Sequence, residues 1–298
     1  MTAMATEEPS RSGWAFEEGD EIVPGVHAIR LLGGGERYEA YLSFDDARHY
    51  LVVAKVLRPD QVADRSALRG LRREAEILGS LSHPVIARLF GAEPEGERPH
   101  LLLEFVEGPR LSTLLRKFGA LEVEQLAPLG IELASALHYL HEHQLVHLDV
   151  KPSNVIMASP PRLIDLSIAR TIRRAATSDH PLGTDAYMAP EQCAPDPRNP
   201  MGPPSDVWGL GVTLHEAITG RRPFPVPEET RSDAPPFPQL EMPPDPLPTD
   251  VPASLAEIVM AALARRAEDR PPAREIAMRL EPLLGRPARL ILKRLRPR

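Results

Sequence analysis

One short stretch of the chain carries an acid, a lysine and an amide in the pattern Asp-x-Lys-x-x-Asn. These residues are Asp149, Lys151 and Asn154, and a further aspartate, Asp165, follows the apolar pair Leu163-Ile164. Transfer of a phosphoryl group from ATP needs a group that orients the incoming hydroxyl, metal ions that neutralise the phosphates and a cradle that holds them. These four side chains are of the types needed to orient the hydroxyl and to hold the metal ions.

Candidates for the cradle lie earlier in the chain. Gly33, Gly34 and Gly35 separate two strand-like segments, although a glycine-rich hairpin turn alone is a common feature. Lys55 ends the apolar run Val52-Val53-Ala54, and an apolar strand rarely carries an inward lysine unless its charge is met. The alternative is an ordinary edge-strand lysine, with Glu74 a solvated glutamate.

Taken in this order, the motifs resemble those of the protein kinase family, specifically the bacterial serine/threonine type, over roughly residues 26–284. The resemblance implies an α+β, bilobal fold, with a small β-rich N-lobe carrying one main helix and a larger, mostly helical C-lobe. It also implies that Asp149 accepts or orients the proton of a substrate hydroxyl, and that Lys151 stabilises charge on the transferred group.

The resemblance further implies ATP and Mg²⁺ as cofactors. Asn154 and Asp165 are then the metal ligands, and the glycine-rich loop and Lys55 contact the phosphates while Lys55 pairs with Glu74. Two residues at the junction of the lobes complete the expected nucleotide site. They are Glu104 and Val106, in the expected hinge 104–108 beside the interlobe cleft.

A second group of motifs resembles the segment that docks a protein substrate. Residues 183–191 end in Ala-Pro-Glu, and Glu191 is expected to be buried against Arg270. Thr184 is expected to approach Asp149 and Lys151. Asp206, near the start of a predicted helix, is expected to anchor the catalytic loop, although an acid in a first helical turn needs no further reason.

The chain departs from the family pattern at several positions. Tyr38 replaces the third loop glycine, and Leu166-Ser167 replaces Phe-Gly after Asp165. Leu148 replaces the arginine that ordinarily binds a phosphate on the activation loop. We therefore hypothesise that activation-loop phosphorylation is not the switch here. The candidate phosphosites are Thr171, Thr177 and Ser178.

Hydrophobic periodicity predicts the elements that position these residues. Strands are predicted over 26–32, 38–44, 50–57, 85–90 and 100–106, and helices over 66–81, 122–143, 205–219, 254–263 and 273–284. Ser254 and Glu257 are interpreted as a capping box. The predicted domain organisation is a flexible extension over 1–20, a kinase domain over 21–284 (N-lobe 21–105, C-lobe 109–284) and a basic tail over 285–298.

Composition narrows the function classes. The formal net charge of −7 argues against general nucleic-acid binding. The single cysteine, Cys193, and the lack of a signal-like or membrane-spanning apolar run favour a cytoplasmic protein. The expected partners are ATP and a protein substrate, and oligomeric state is left open.

Two segments have open roles. Residues 223–252 hold 11 of the 34 prolines and predict an extended surface loop, with a proline-rich docking peptide as the alternative. The tail carries six positive charges interleaved with leucines, which suits either peripheral contact with an anionic membrane or a solvated terminus.

The sequence thus supports an active serine/threonine kinase, and autophosphorylation is expected as part of its activity. The alternative is a kinase-fold scaffold that binds nucleotide or a partner with little catalysis, which Tyr38, Leu148 and Leu166-Ser167 favour. A small-molecule kinase is disfavoured by the docking segment 183–191.

Overall fold

The computed structural model describes residues 13–225 and 237–284. These residues form two compact units: one runs to Gly108 and adds Arg162–Arg170, and the other comprises Pro109–Pro161 and the chain from Thr171 onward. The expected α+β organisation is confirmed, with a β-rich unit that carries one main helix and a larger, mainly helical unit. Residues 162–170 were expected in the C-lobe but group with the first unit, because the backbone of Leu163 hydrogen-bonds Val85 and Ala87.

A six-stranded antiparallel sheet forms the first unit, in the order β1-β2-β3-β4-β6-β5. Its strands are β1 Glu21–Val23, β2 Val26–Gly34, β3 Tyr38–Asp45, β4 Tyr50–Leu57, β5 Leu89–Glu93 and β6 His100–Glu104. Alternate side chains of β4 are buried at Val52, Ala54 and Val56, as expected of a central strand. This strand carries Lys55.

Helix α1, Arg65–Gly79, packs on this sheet and presents Glu74. It begins at Asp64, whose carboxylate accepts from the Ala67 amide and so satisfies one of the unpaired amides of the first turn. Its buried face includes Ala67, Leu71 and Leu78, at helical spacing. The predicted helix is therefore confirmed to within two residues at each end.

Residues 13–20 differ from the expectation of a flexible extension. Trp14 and Phe16 stack on each other and pack against the apolar face of the sheet. The Trp14 indole also donates to the Leu57 carbonyl at 2.7 Å. An aromatic pair in this otherwise acidic segment supplies apolar area that the sheet can bury.

The second unit is mainly helical. Its helices are α2 Leu111–Phe118, α3 Val123–Glu142, α4 Ile172–Ala176, α5 Pro190–Cys193, α6 Pro203–Thr219, α7 Ala253–Ala262 and α8 Ala273–Leu280. Two-residue strands are β7 Leu145–Val146, β8 Val155–Ile156, β9 Arg162–Leu163 (in the first unit) and β10 Arg170–Thr171. Helix α3 packs against α6 and α8. The predicted helix end at Thr219 is confirmed, since Gly220 adopts a left-handed conformation there.

Several predicted boundaries are wrong. Helix α7 begins at Ala253 with Pro252 at its N-cap, so Ser254 lies inside the first turn and forms no capping box. Helix α8 ends at Leu280, because Pro282 lacks the amide that would continue it. The strand predicted from 85 begins only at Leu89, and the one predicted through 106 ends at Glu104.

The proline-rich segment is described in part. A 3-10 turn, Pro238–Leu240, lies within it and buries Gln239. Residues 226–236, the first twelve residues and the predicted basic tail lie outside the described residues. Among the residues that the structure describes, no helix is long and apolar enough to span a membrane.

Candidate active site

The first unit brings Lys55, Glu74 and Asp165 together. The ammonium of Lys55 lies 2.8 and 2.9 Å from the two carboxylate oxygens of Glu74 and 2.9 Å from one oxygen of Asp165. Glu74 is fully buried and Lys55 nearly so. The predicted pairing of Lys55 with Glu74 is confirmed, whereas nucleotide contact by these residues remains a prediction.

Two carboxylates keep Lys55 charged. Burial alone would lower the pKa of Lys55, but the carboxylates of Asp165 and Glu74 outweigh burial and raise it above its ordinary value. Lys55 is therefore a cation at any physiological pH. Burial raises the pKa of Glu74, while the Lys55 ammonium opposes that rise.

Tyr38 covers the same lysine. Its ring centroid lies 4.7 Å from the Lys55 ammonium, within cation–π range. A Cβ built on Gly70 of α1 would lie 3.3 Å from the Tyr38 hydroxyl, so the ring spans from β3 to the helix. Burial raises the pKa of Tyr38, which keeps its hydroxyl protonated. The ring therefore stands beside the amine that the sequence assigns to phosphate binding.

The glycine-rich turn is compact. Gly33 has a φ of 143°, a conformation open mainly to glycine, and a Cβ on Gly34 would lie 2.7 Å from the Tyr38 carbonyl. The Gly35 amide donates to the same carbonyl at 2.9 Å, and Arg58 donates to the Gly35 carbonyl at 2.8 Å. Here glycine is required by backbone geometry at the first two positions.

The two expected hinge residues lie at the end of the sheet. Glu104 ends β6, and its carboxylate lies 3.3 Å from the Arg88 guanidinium and 3.9 Å from that of Arg162. Val106 follows β6 and is partly buried. Because the Glu104 carboxylate is paired with arginines, any contact with an adenine ring at this position would come from the backbone.

Asp165 has a left-handed backbone conformation, with a φ of 67°. Such strain in a non-glycine residue is typical of functional sites and needs local support. The Ser167 amide donates to the Asp165 carboxylate, and Arg73 of α1 donates to the Ser167 carbonyl at 3.0 Å. Helix α1 therefore holds this segment through both Glu74 and Arg73.

The second unit assembles the predicted catalytic loop. One oxygen of Asp149 accepts from the Thr184 hydroxyl at 2.7 Å, and the other lies 2.7 Å from the Lys151 ammonium and 3.1 Å from the Asn154 amide nitrogen. Lys151 also donates to the Thr184 hydroxyl. The predicted approach of Thr184 to Asp149 and Lys151 is confirmed.

Asp206 anchors this loop through hydrogen bonds to its backbone. Its carboxylate accepts from the backbone amides of His147 at 2.9 Å and Leu148 at 2.7 Å, and it contacts the His141 ring at 2.9 Å. The predicted anchoring role is confirmed. Leu148, whose φ is 66°, is almost completely buried, so it offers nothing to a phosphate in solvent.

Glu191 and Arg270 form a bidentate ion pair with N–O distances of 2.7 and 2.9 Å, and both side chains are fully buried. Ser205 donates to Glu191, and the Arg270 guanidinium lies over the Trp208 ring. The predicted burial and pairing of Glu191 are confirmed. This pair fixes the end of the docking segment.

The residues assigned to Mg²⁺ have suitable chemistry. Asp165, in the first unit, offers carboxylate oxygens, one of which lies 2.9 Å from the Lys55 ammonium. Asn154, in the second unit, directs its amide nitrogen to Asp149, which leaves a carbonyl oxygen as its metal-ligand atom. Mg²⁺ prefers such oxygen ligands and is usually held by one or two protein groups plus substrate phosphates. Taken separately, each of these side chains offers an oxygen of the kind that this ion accepts.

Sequence reasoning missed Arg73, Arg58 and Gln192. Arg73 immediately precedes Glu74 and Arg58 follows β4, but arginine is so frequent in this chain that neither position stands out. Gln192 directly follows Ala-Pro-Glu, and this proximity to a recognised motif is the feature of the sequence that could have drawn attention to it.

A profile of the protein kinase domain matches residues 26–279. The chain belongs to the protein kinase family. It is 30% identical over 257 residues to serine/threonine-protein kinase PknB of Mycolicibacterium smegmatis and, equally, to PknB of Mycobacterium tuberculosis. It is 31% identical over 211 residues to serine/threonine-protein kinase PrkC of Bacillus subtilis.

The aligned region makes up a larger share of this chain than of each relative. The PknB matches span 80% of this chain but 40% of each relative, and the PrkC match spans 69% of this chain and 32% of that relative. The chain thus spans less than half the length of these bacterial relatives. The similarity concerns the kinase domain itself.

Proposed function

We propose that this chain is a serine/threonine protein kinase that transfers the γ-phosphoryl group of ATP to hydroxyls of protein substrates, itself included, with Mg²⁺. The observation that carries the proposal is the geometry at Asp149, whose two carboxylate oxygens are held by Thr184, Lys151 and Asn154. A carboxylate fixed in this way can orient a substrate hydroxyl and accept its proton. Lys151, beside it, can stabilise negative charge on the transferred group.

Nucleotide binding is assigned to the first unit. Lys55 would contact the phosphates, with Glu74 holding its ammonium in place, and the glycine-rich turn would cover them. Asp165 and Asn154 would hold Mg²⁺, which neutralises the phosphate charge when bound. The backbone at Glu104 and Val106 would contact the base.

The test is phosphate transfer by the purified chain. Incubation with Mg²⁺ and labelled ATP should label the protein or a generic basic protein, and Asp149→Asn should reduce the labelling by about a hundredfold or more. Equal labelling by the two proteins would contradict the assignment of Asp149. No labelling from either would contradict the kinase activity.

We also propose that phosphorylation of the activation loop is not the switch. Leu148 stands where a phosphate-binding arginine would be needed, and its side chain is buried in the second unit. Simultaneous substitution of Thr171, Thr177 and Ser178 by alanine should leave the rate of phosphate transfer to a protein substrate within about threefold of the original. Loss of activity in this triple variant would sink the idea, and mass spectrometry of the original protein would show which sites carry phosphate.

A second candidate function is a nucleotide-binding scaffold with little catalysis. The contact of the Tyr38 ring with Lys55 favours it, because the ring lies beside the phosphate-binding amine. A rise in melting temperature with Mg²⁺ and ATP, without any phosphate transfer, would support this alternative.

Location and partners are proposed on general grounds. Use of ATP and the single, buried cysteine Cys193 suit a cytoplasmic domain, and the acidic net charge disfavours nucleic acid as a partner. Peripheral membrane contact through residues 285–298 stays a hypothesis, since these residues lie outside those described.

A further inference from the structure

Gln192 in α5 is a buried side chain with all its polar groups occupied. It is 1% exposed. Its amide nitrogen donates to the Leu148 carbonyl at 2.9 Å and to the Leu182 carbonyl at 2.6 Å, while its oxygen accepts from the Ala189 amide at 3.0 Å. Two acceptors and one donor fix the orientation of the amide without ambiguity.

The first of these contacts supports a strained peptide. Leu148 has a left-handed conformation, which is unfavourable for a non-glycine residue. Such a conformation persists only where neighbours hold it. Asp206 holds the Leu148 amide, and Gln192 holds its carbonyl, which belongs to the peptide bond that leads directly into Asp149.

The second contact reaches the docking segment. Leu182 lies two residues before Thr184, whose hydroxyl donates to Asp149. Gly183, between them, packs so closely that an added Cβ would lie 2.9 Å from the Leu148 carbonyl and 3.1 Å from the Gln192 nitrogen. Gln192 thus closes a ring of contacts that runs through Leu148, Asp149, Thr184 and Leu182.

We infer that Gln192 is a positioning residue that fixes the catalytic carboxylate of Asp149 and the docking segment relative to each other. The inference rests on the proposed function, and it gives that function a source of order in the docking segment that requires no phosphate. A neutral amide suits the task, because it supplies two donors to two carbonyls from one rigid group.

A neighbouring glutamine provides the matched comparison. Gln239 donates to the carbonyls of Asp185 and Met188, so it also holds the docking segment, but none of its side-chain hydrogen bonds reaches Leu148. Replacement of either glutamine by methionine keeps the approximate shape and removes both donors. If the tie to Leu148 matters, Gln192→Met and Gln239→Met must have different kinetic effects.

The experiment measures phosphate transfer to a peptide by the original protein and its variants. Gln192→Met should lower kcat by about ten- to a hundredfold with little change in the KM for ATP, because it misplaces a catalytic group without touching the nucleotide site. Gln192→Glu should lower kcat further, since a carboxylate would face two carbonyl oxygens. Gln239→Met should act mainly through the KM for the peptide.

Two controls separate positioning from mere loss of stability. Ile276→Val, in the buried face of α8, should lower the melting temperature while kcat per folded molecule is retained. Gln61→Met, at an exposed contact with Asp60, should change neither quantity. Hydrogen exchange should show faster exchange in Gln192→Met at residues 148–149 and 182–184, with no change in α6.

The outcomes are decisive in either direction. An unchanged kcat in Gln192→Met, an equal fall of kcat in Gln239→Met, or unchanged exchange at residues 148–149 would overturn the inference. If the original protein itself transfers no phosphate, the proposed function fails, and the exchange experiment still decides whether Gln192 orders these two segments.

Discussion

Tyr38 replaces a glycine of the family pattern and Leu148 replaces an arginine. Each substitution lies in a different part of the site. Tyr38 adds a ring where the pattern has the smallest side chain, and it places that ring against Lys55 and close to Gly70 of α1. Leu148 removes a charge and is buried. The first change bears on the proposed nucleotide site and the second on the proposed mode of control, so they can be tested independently.

Replacement of Tyr38 by glycine should lower the KM for ATP by about two- to thirtyfold. In the proposed nucleotide site the ring competes with phosphate for the Lys55 ammonium. A cation–π contact is worth roughly 0.5–2 kcal/mol, the upper value applying to a desolvated cation such as Lys55. The variant should also melt at a lower temperature, because the ring packs between β3 and α1. Steady-state kinetics and a thermal melt measure the two effects.

Tyr38→Phe is the matched control for this prediction. It keeps the ring over Lys55 and loses only the hydroxyl, so its KM for ATP should stay close to the original. A higher KM for ATP in Tyr38→Gly would show instead that the ring helps to hold the lysine for the nucleotide.

At the scale of elements, hydrophobic periodicity and spacing predicted the position of a helix well where that helix has one clear apolar face. Helix α1 shows this, with Ala67, Leu71 and Leu78 buried and its other faces largely exposed. The start of α7 could not be predicted in the same way, because Pro252 fits the N-cap position as well as Ser254 fits a capping box. The strand expected from Val85 failed because this apolar segment is held by Leu163, far along the chain.

The residues of the candidate site also fall into those that the sequence could identify and those that it could not. Asp149, Lys151 and Asn154 could be found because they lie within six residues of one another, and the resemblance supplied Lys55, Glu74 and Asp165. Gln192 could not be found, because its role depends on contacts with Leu148 and Leu182, which are 44 and 10 residues away. Contacts between distant segments are set by packing, which a single sequence does not display.

For the molecule as a whole, the two units are stabilised in different ways. The first buries one face of an antiparallel sheet, to which Trp14 and Phe16 of the N-terminal segment add apolar area. The second packs α3, α6, α7 and α8 against one another and encloses the ion pair of Glu191 and Arg270. That pair connects the docking segment with the turn before α8, so the stability of the helical unit should depend on it.

Arg270→Met should destabilise the protein by roughly 3–5 kcal/mol, because it leaves the Glu191 carboxylate buried without a cation. The loss also removes the hydrogen bonds from Arg270 to the carbonyls of Pro204 and Ala264. Urea denaturation followed by circular dichroism, which reports mainly on the helices, measures the change.

The double variant Glu191→Gln with Arg270→Met distinguishes a buried charge from lost packing. If the unpaired carboxylate causes most of the loss, the double variant should be more stable than Arg270→Met alone, since a neutral amide is cheaper to bury. Equal stability of the two variants would assign the loss to the missing guanidinium contacts instead. A loss below about 1 kcal/mol in Arg270→Met would place the pair among those of little energetic value, and the helical unit would then depend on its apolar core alone.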